Sequence, residues 1–505
     1  MRRITRAPSL RARLVGSFVA GCCVAWPFRA HAQIEPGEPS VVLEATVLAS
    51  GLDAPTDIVV FEDGNALVVE RNGGMVLIRK DGSQDKAAGK IEVLPNDTEQ
   101  GLLGVFPHPD FVKNRTLFFY ASVDKDIANK NKVLTGILDA TGKVTVDLQH
   151  PFIDKGLEGP RNHNGGGLFI HQRQLYVSVG DTGYNPEYGT PGSLAIPINK
   201  YASCLNKANG SILRVNLDGS IPSDNPLVNE KVVTGCERPN PPPNTPADKR
   251  FNKPFKDSRK PDKRIFAWGV RNGFRFWVDP KTDLLWIGDV GEFQEEEISV
   301  GGNGTHFGFP FMEGMHRYPD RADWKINDCT AMKPSRPCTL PVFSYPNRAE
   351  RATKKGADSV VIGGLIIDDA RWPERFRGRY YFGDFESGRI WTLDVTPDRK
   401  GVDPKSLRQI ANVPYLSSFR LGPDGALYVV SYGGNNIVRI SPKVAAVPNR
   451  APEPKKPLAP LAPQHKAGFP PPAEEGLRTP IIAGLGALFA ALLGALFWKR
   501  SRSGN

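Results

Sequence analysis

The sequence predicts an all-β protein, a six-bladed β-propeller with long inserted loops, plus one C-terminal transmembrane helix. Helical periodicity is scarce between residues 40 and 441, where short apolar runs are bounded by Gly, Pro, Asp and Asn. A polar turn followed by an apolar and aromatic strand recurs six times, marked by Leu67, Leu117, Leu175, Leu285, Tyr380 and Leu427. The markers stand 50, 58, 110, 95 and 47 residues apart. A base period with long insertions is the pattern of blades that cover their faces only against neighbouring blades. At the far end, nineteen residues from Pro480 to Trp498 carry no charge and are followed at once by Lys499 and Arg500.

Taken in order, residues 1–32 read as a signal peptide. Arginines up to Arg13 precede an apolar run from Leu14 to Trp26, and Ala30-His31-Ala32 forms a small-x-small cleavage site. Val19-Ala20-Gly21-Cys22 offers a lipoprotein cleavage box as the alternative. Residues 33–441 form the propeller, with insertions expected at about 186–262 and 309–358 that carry the four cysteines of the mature chain. Residues 442–479 hold ten prolines in 38 positions, too few large apolar groups to pack a core, and read as an extended tether. Residues 480–498 then span the membrane: at 1.5 Å per residue a helix of this length covers about 28 Å. The basic tail 499–505 stays in the cytoplasm by the positive-inside rule. The expected location is therefore extracytoplasmic or periplasmic, anchored to the cytoplasmic membrane.

The net charge of +11 would ordinarily suggest nucleic acid. Six arginines of residues 1–32 and the three cations after Trp498 account for nine of these charges, leaving +2 on residues 33–479. The charge therefore reports topology, and no nucleic-acid partner is expected. In an oxidising compartment Cys204, Cys236, Cys329 and Cys338 can pair in three ways, of which nearest neighbours, 204 with 236 and 329 with 338, staple two loops. No Cys-x-x-Cys-His run provides a haem, so electrons would leave by a separate acceptor.

Two stretches are too polar and glycine-rich to be blade alone. Arg161-Asn-His163-Asn-Gly-Gly-Gly167 precedes a strand ending Val179-Gly-Asp181. A hairpin-like return would bring His163 and Asp181 to one rim as a general base and its orienting carboxylate, or else His163 merely closes a turn. Arg271-Asn272 offers a cation beside an amide for a carbonyl or carboxylate oxygen, and the acidic run from Glu292 to Glu297 could bind calcium or be a solvated loop.

These motifs resemble the glucose/sorbosone dehydrogenase family, six-bladed propellers that include soluble aldose dehydrogenases using pyrroloquinoline quinone and hedgehog-interacting-protein-like propellers. The resemblance runs from about 45 to 441. It rests on Gly51-Leu-Asp-Ala-Pro-Thr-Asp57, Glu99-Gln-Gly-Leu-Leu-Gly, His163-Asn-Gly-Gly-Gly-Leu, Val179-Gly-Asp-Thr-Gly, Gly269-Val-Arg-Asn and Gly288-Asp-Val-Gly. It implies that His163 takes the proton from a sugar's anomeric hydroxyl with Asp181 in support. It places Arg271 and Asn272 beside the quinone's reactive carbonyl, makes Glu99 a cofactor-binding position, and gives the backbone carbonyls of Gly291 and Glu292 to calcium. It further implies cations for the cofactor's three carboxylates, yet the corresponding stretches read Gly363 to Asp368-Asp369 and Tyr415-Leu-Ser417-Ser-Phe-Arg420. Arg420, Lys354, Lys355, Arg389 or arginines of the loops are the substitutes available. The expected function is aldose oxidation to a lactone. A propeller that binds a glycan or protein without catalysis is the first alternative, and a calcium-dependent lactonase the second.

Overall fold

The computed structural model describes residues 41–94, 99–124, 130–159, 162–183, 200–235, 258–292, 294–317, 329–347 and 358–444. The leader, the tether beyond Val444, the apolar segment 480–498, the tail, Cys236, Lys354 and Lys355 lie outside the described residues. Among the described residues no helix is long and apolar enough to cross a membrane.

The described residues form six antiparallel four-stranded sheets, each a simple meander except the last. Blade one runs from Pro55–Val60 to Gln84–Lys90, blade two from Leu102–Pro107 to Val144–Asp147, and blade three from Leu168–His171 to Ile265–Trp268. Blade four runs from Arg275–Val278 to Phe343–Pro346, and blade five from Val361–Ile367 to Val402–Asn412. Blade six takes Leu416–Leu421, Leu427–Ser431 and Asn436–Val444 from the end of the domain and borrows Val41–Ser50 from its start as the outer strand. The first strands of successive blades neighbour one another in a closed cycle, so they line the axis. Closure by the two ends of the domain leaves no unpartnered blade and puts both chain exits side by side.

All six sequence markers fall on the second strand of a blade, one per blade, and all are fully buried. These strands are covered on both faces, which is why they read as continuous apolar runs rather than as alternation. Leu67, Val69 and Leu77 of blade one, for example, pack with Leu102, Val105, Leu117 and Phe119 of blade two.

The expected insertions need correction. Residues 186–262 contain Ser211–Asn216, the third strand of blade three, and residues 309–358 contain Phe343–Pro346, the outer strand of blade four. Marker spacing follows second strands only, so a short strand flanked by polar turns escapes it. Cys329 and Cys338 are disulfide-bonded to each other with Cα atoms 5.3 Å apart, as the neighbour pairing expects. Cys204 is also disulfide-bonded.

A buried ionic group sits on the axial strands. Asp57 of blade one is inaccessible to solvent, and its carboxylate accepts from Arg420 Nη2 at 2.6 Å, Ser418 Oγ at 2.7 Å and the Val105 amide at 3.2 Å. Burial works to raise its pKa, but Arg420 and Arg275 outweigh that and hold it below the usual carboxylate range. Arg275 of blade four donates from Nη2 to the carbonyls of Thr56 at 2.7 Å and Leu103 at 2.9 Å. It ties blade four to blades one and two, and burial lowers its pKa to about 10.

Candidate active site

In each blade the first strand starts, and the second strand ends, at the same rim. A Gly-Asp pair closes the second strands of blades four and five, Gly288-Asp289 and Gly383-Asp384, and directly follows that of blade three, Gly180-Asp181. In blades four and five the aspartate serves the backbone. Asp289 accepts the amides of Arg271 at 2.9 Å and Asn272 at 2.7 Å, and Asp384 accepts those of Ser359 at 2.8 Å and Val360 at 2.9 Å. These are the segments entering the first strand of the same blade, so the carboxylate satisfies amides that the ladder leaves open.

Blade three diverts this device. Asp181 Oδ1 lies 2.6 Å from Nδ1 of His163 and also accepts the Gly183 amide at 2.8 Å. The His163 amide goes instead to Glu99 Oε2 at 2.6 Å, from the segment entering blade two. His163 adopts φ 54, a left-handed conformation uncommon for a non-glycine residue, and its side chain is 14% exposed. A carboxylate on Nδ1 selects the tautomer with the proton there and leaves the lone pair on Nε2, which has no partner among the described residues. Gly180 makes the approach possible: a Cβ on it would lie 2.1 Å from the His163 carbonyl oxygen and 3.0 Å from Asn272 Oδ1.

Arg271 and Asn272 adjoin this pair. The Arg271 carbonyl accepts the Asp181 amide at 2.8 Å, and Asn272 Oδ1 accepts the Gly165 amide at 3.2 Å. Arg271 Nη1 donates to the Val290 carbonyl at 2.9 Å, and its Nε lies 3.8 Å from Glu292 Oε2. The structure therefore joins His163, Asp181, Glu99, Arg271, Asn272, Gly291 and Glu292 in one continuous network. Sequence reasoning missed Asp289, which holds the Arg271-Asn272 turn, and Glu313, whose Oε1 accepts the amides of Glu292 at 2.7 Å and Gln294 at 2.8 Å. The repeated Gly-Asp pair was the available signal for the first; no local pattern marks the second.

Among the described residues no cluster of three or more His, Cys, Asp or Glu side chains is placed to hold a metal ion, so a divalent cation near Gly291 and Glu292 would rest chiefly on their backbone carbonyls. Burial raises the pKa values of Asp289, Glu292, Glu296 and Glu297, and neighbouring carboxylates add to the effect. A bound cation would favour their ionised forms, with the Gly291 and Glu292 carbonyls as oxygen ligands. Because these folded-state values are raised, the stability the acids contribute is complete below about pH 4 and is lost as pH rises through the raised values. In chelator the melting temperature should therefore fall from about pH 5 to about pH 8, and calcium should restore it at the upper end. A melting temperature that rises over this interval, or is blind to calcium at its upper end, would contradict the assignment.

Of the substitute cations the sequence offers for a tricarboxylate, Arg420 and Arg389 are already paired, and Lys354 and Lys355 lie outside the described residues. Arg420 is committed to Asp57, and Ser417 donates to the Pro55 and Thr56 carbonyls at 3.2 and 3.3 Å. Asp368 and Asp369 follow the end of a first strand, so they lie at the opposite rim, where Asp368 pairs with Arg399 and Lys281 and Asp369 with Arg371. Arg389 does reach the site rim, but its Nη1 bonds both oxygens of Asp358, at 2.7 and 3.0 Å. Arg271 and Asn272 thus suit the reactive carbonyl of pyrroloquinoline quinone, whereas Arg420 and Arg389 are not available to its carboxylates; Arg71, directly after the second strand of blade one, is a further cation on this rim.

Comparison with known proteins agrees with the fold and the motifs. The chain is similar to an aldose sugar dehydrogenase of Escherichia coli, 22% identical over 409 residues, covering 79% of this chain and 92% of that protein. It is 29% identical to quinoprotein glucose dehydrogenase B of Acinetobacter calcoaceticus over 288 residues, 53% of this chain and about half (52%) of that protein. The solved PQQ-bound aldose sugar dehydrogenase of Streptomyces coelicolor superimposes with a TM-score of 0.55 at 16% identity, over 80% of this chain and 99% of that one, which bears on the fold alone. The glucose/sorbosone dehydrogenase profile matches residues 52–235 and 244–439, nearly the whole propeller, and the chain therefore belongs to that family.

Proposed function

We propose that the propeller is a sugar dehydrogenase that oxidises the anomeric carbon of an aldose to a lactone. The observation that carries this reading is the His163–Asp181 pair, 2.6 Å apart, beside Arg271 and Asn272. Nε2 of His163 takes the proton of the anomeric hydroxyl, and Asp181 holds the ring and stabilises the imidazolium that results. Arg271 and the side-chain Nδ2 of Asn272 present donors to an oxygen that gains negative charge. Glu99, by accepting the His163 amide, keeps the imidazole on station. The hydride leaves with an electron acceptor of the quinone class, the chemistry named for the Acinetobacter relative; a separate carrier then removes the electrons. Of the cations that could meet carboxylates on such an acceptor, Arg420 and Arg389 are already paired with Asp57 and Asp358.

The acidic rim favours a second reading, a propeller that binds a saccharide without oxidising it. Titrating the full-length protein with pyrroloquinoline quinone in calcium, followed by dye reduction over a panel of aldoses, separates the two. Quinone binding with sugar-dependent reduction supports the dehydrogenase; no reduction with any added quinone leaves the binding module.

Export and anchoring belong to the same proposal. The two ends of the propeller pair along one outer edge, Val41–Ser50 against Asn436–Val444, so leader and tether leave from one place. Deleting residues 480–505 should move the protein from the membrane pellet to the soluble extracytoplasmic fraction. Retention in an alkali-washed pellet would count against the anchor.

A further inference from the structure

Where blades five and six meet, the same rim carries three aromatic residues. Phe385 follows the second strand of blade five, Tyr415 precedes the first strand of blade six and Tyr432 follows its second. The Phe385 ring centroid is 5.4 Å from that of Tyr415, edge to face, and 5.8 Å from that of Tyr432. All three side chains are only part-buried. Tyr415 is built into place: it adopts φ 50, its carbonyl accepts the Tyr432 amide at 2.9 Å, and a Cβ on Gly433 would meet its ring at 2.4 Å. Held left-handed at some cost, it is a residue that the surroundings fix rather than one that drifts there.

Glu386 adjoins this cluster. Its part-buried carboxylate makes no hydrogen bond or ion pair with any described residue, and burial together with Asp384 pushes its pKa up to about 6. The Tyr415 hydroxyl likewise has no partner among the described residues. The nearby cation, Arg389, is occupied by Asp358. A part-buried carboxylate that no described residue bonds keeps its lone pairs open to a ligand that donates hydroxyl groups. Aromatic faces take the apolar C–H face of a sugar ring, and an acceptor beside them takes its hydroxyls. An anion would meet Glu386 and Asp384 as like charges.

We propose that Phe385, Tyr415, Tyr432 and Glu386 form a subsite for a neutral pyranose ring, on the rim that also carries His163 but on different blades. The subsite does not depend on the redox reading: its readout is binding, so a protein that reduces no dye can still pass the test. The full-length protein, in a detergent without a sugar headgroup, is titrated calorimetrically with maltose, cellobiose, choline and citrate. At least one neutral disaccharide should bind, and Tyr415→Ala and Glu386→Gln should each weaken it by about tenfold or more. Tyr415→Phe, which keeps the ring and is the variant safest for folding, should lose less than Tyr415→Ala. Unchanged melting temperatures establish that the losses are local. The proposal is overturned if no neutral disaccharide binds at millimolar concentration, if these substitutions leave binding unchanged, or if choline or citrate binds in a Glu386-dependent way where the disaccharides do not.

Discussion

Replacing His163 with alanine is expected to lower aldose turnover by roughly 10² to 10⁴-fold, the usual contribution of a positioned general base. The expectation follows from a local departure in a repeated device. Asp289 and Asp384 use the carboxylate at the end of a second strand to satisfy backbone amides, whereas Asp181 spends one oxygen on an imidazole. A histidine that only closed its turn would not need that carboxylate, because its own amide is already held by Glu99. Alanine at φ 54 adds backbone strain of its own. His163→Asn is the sharper variant, since asparagine tolerates the left-handed region and cannot act as a base. Steady-state dye reduction should show both variants losing kcat. Asp181→Asn, which can no longer select the tautomer with the lone pair on Nε2, should fall with them. Wild-type turnover in His163→Asn would remove the residue from the mechanism.

Asp57→Ala should cost roughly 3–5 kcal/mol of stability, the usual penalty for leaving buried charges without their counter-ion. The carboxylate is inaccessible to solvent and accepts from Arg420, Ser418 and two backbone amides, while the Arg275 charge lies close enough to lower its pKa. Its removal strands Arg420 and Arg275 among axial strands from blades one, two, four and six. Arg420→Met on its own leaves Asp57 with Arg275 and should cost less. The Asp57→Ala, Arg420→Met double variant should be more stable than the sum of the two single effects predicts, because the second change removes a charge the first left unpaired. Equilibrium denaturation in urea measures all three. A loss below about 1 kcal/mol for Asp57→Ala would mean that water reaches the site and screens it.

The blades were legible because each must bury one apolar run of similar length against its neighbours, and Leu67, Leu117, Leu175, Leu285, Tyr380 and Leu427 all sit at the same place in that unit. Outer and third strands were less so. Ser211–Asn216 and Phe343–Pro346 are short, lie among turn-forming residues and take their register from partners far away in the chain. The functional dyad was legible as two motifs, since glycines flank both His163 and Asp181 and a hairpin-like return was enough to expect the carboxylate on the imidazole; that Glu99 would hold the His163 amide was not.

Charge shows the same division. The sequence alone determined that the basic residues cluster at the two ends, because counts and positions along the chain are enough for that. It misjudged which residues matter. Asp368 and Asp369 counted against the site, although the first strand of blade five carries them to the far rim. Arg420 looked like a substitute cation, although it serves Asp57 on the axis. Glu386, two residues beyond a buried Gly-Asp pair, attracted no notice at all. Sequence by itself determined the propeller, its family motifs and the identity of the residues with chemistry. Only the tertiary structure decided which end of a strand faces the site and which carboxylate already has a partner, because both depend on contacts between blades that are distant in the chain.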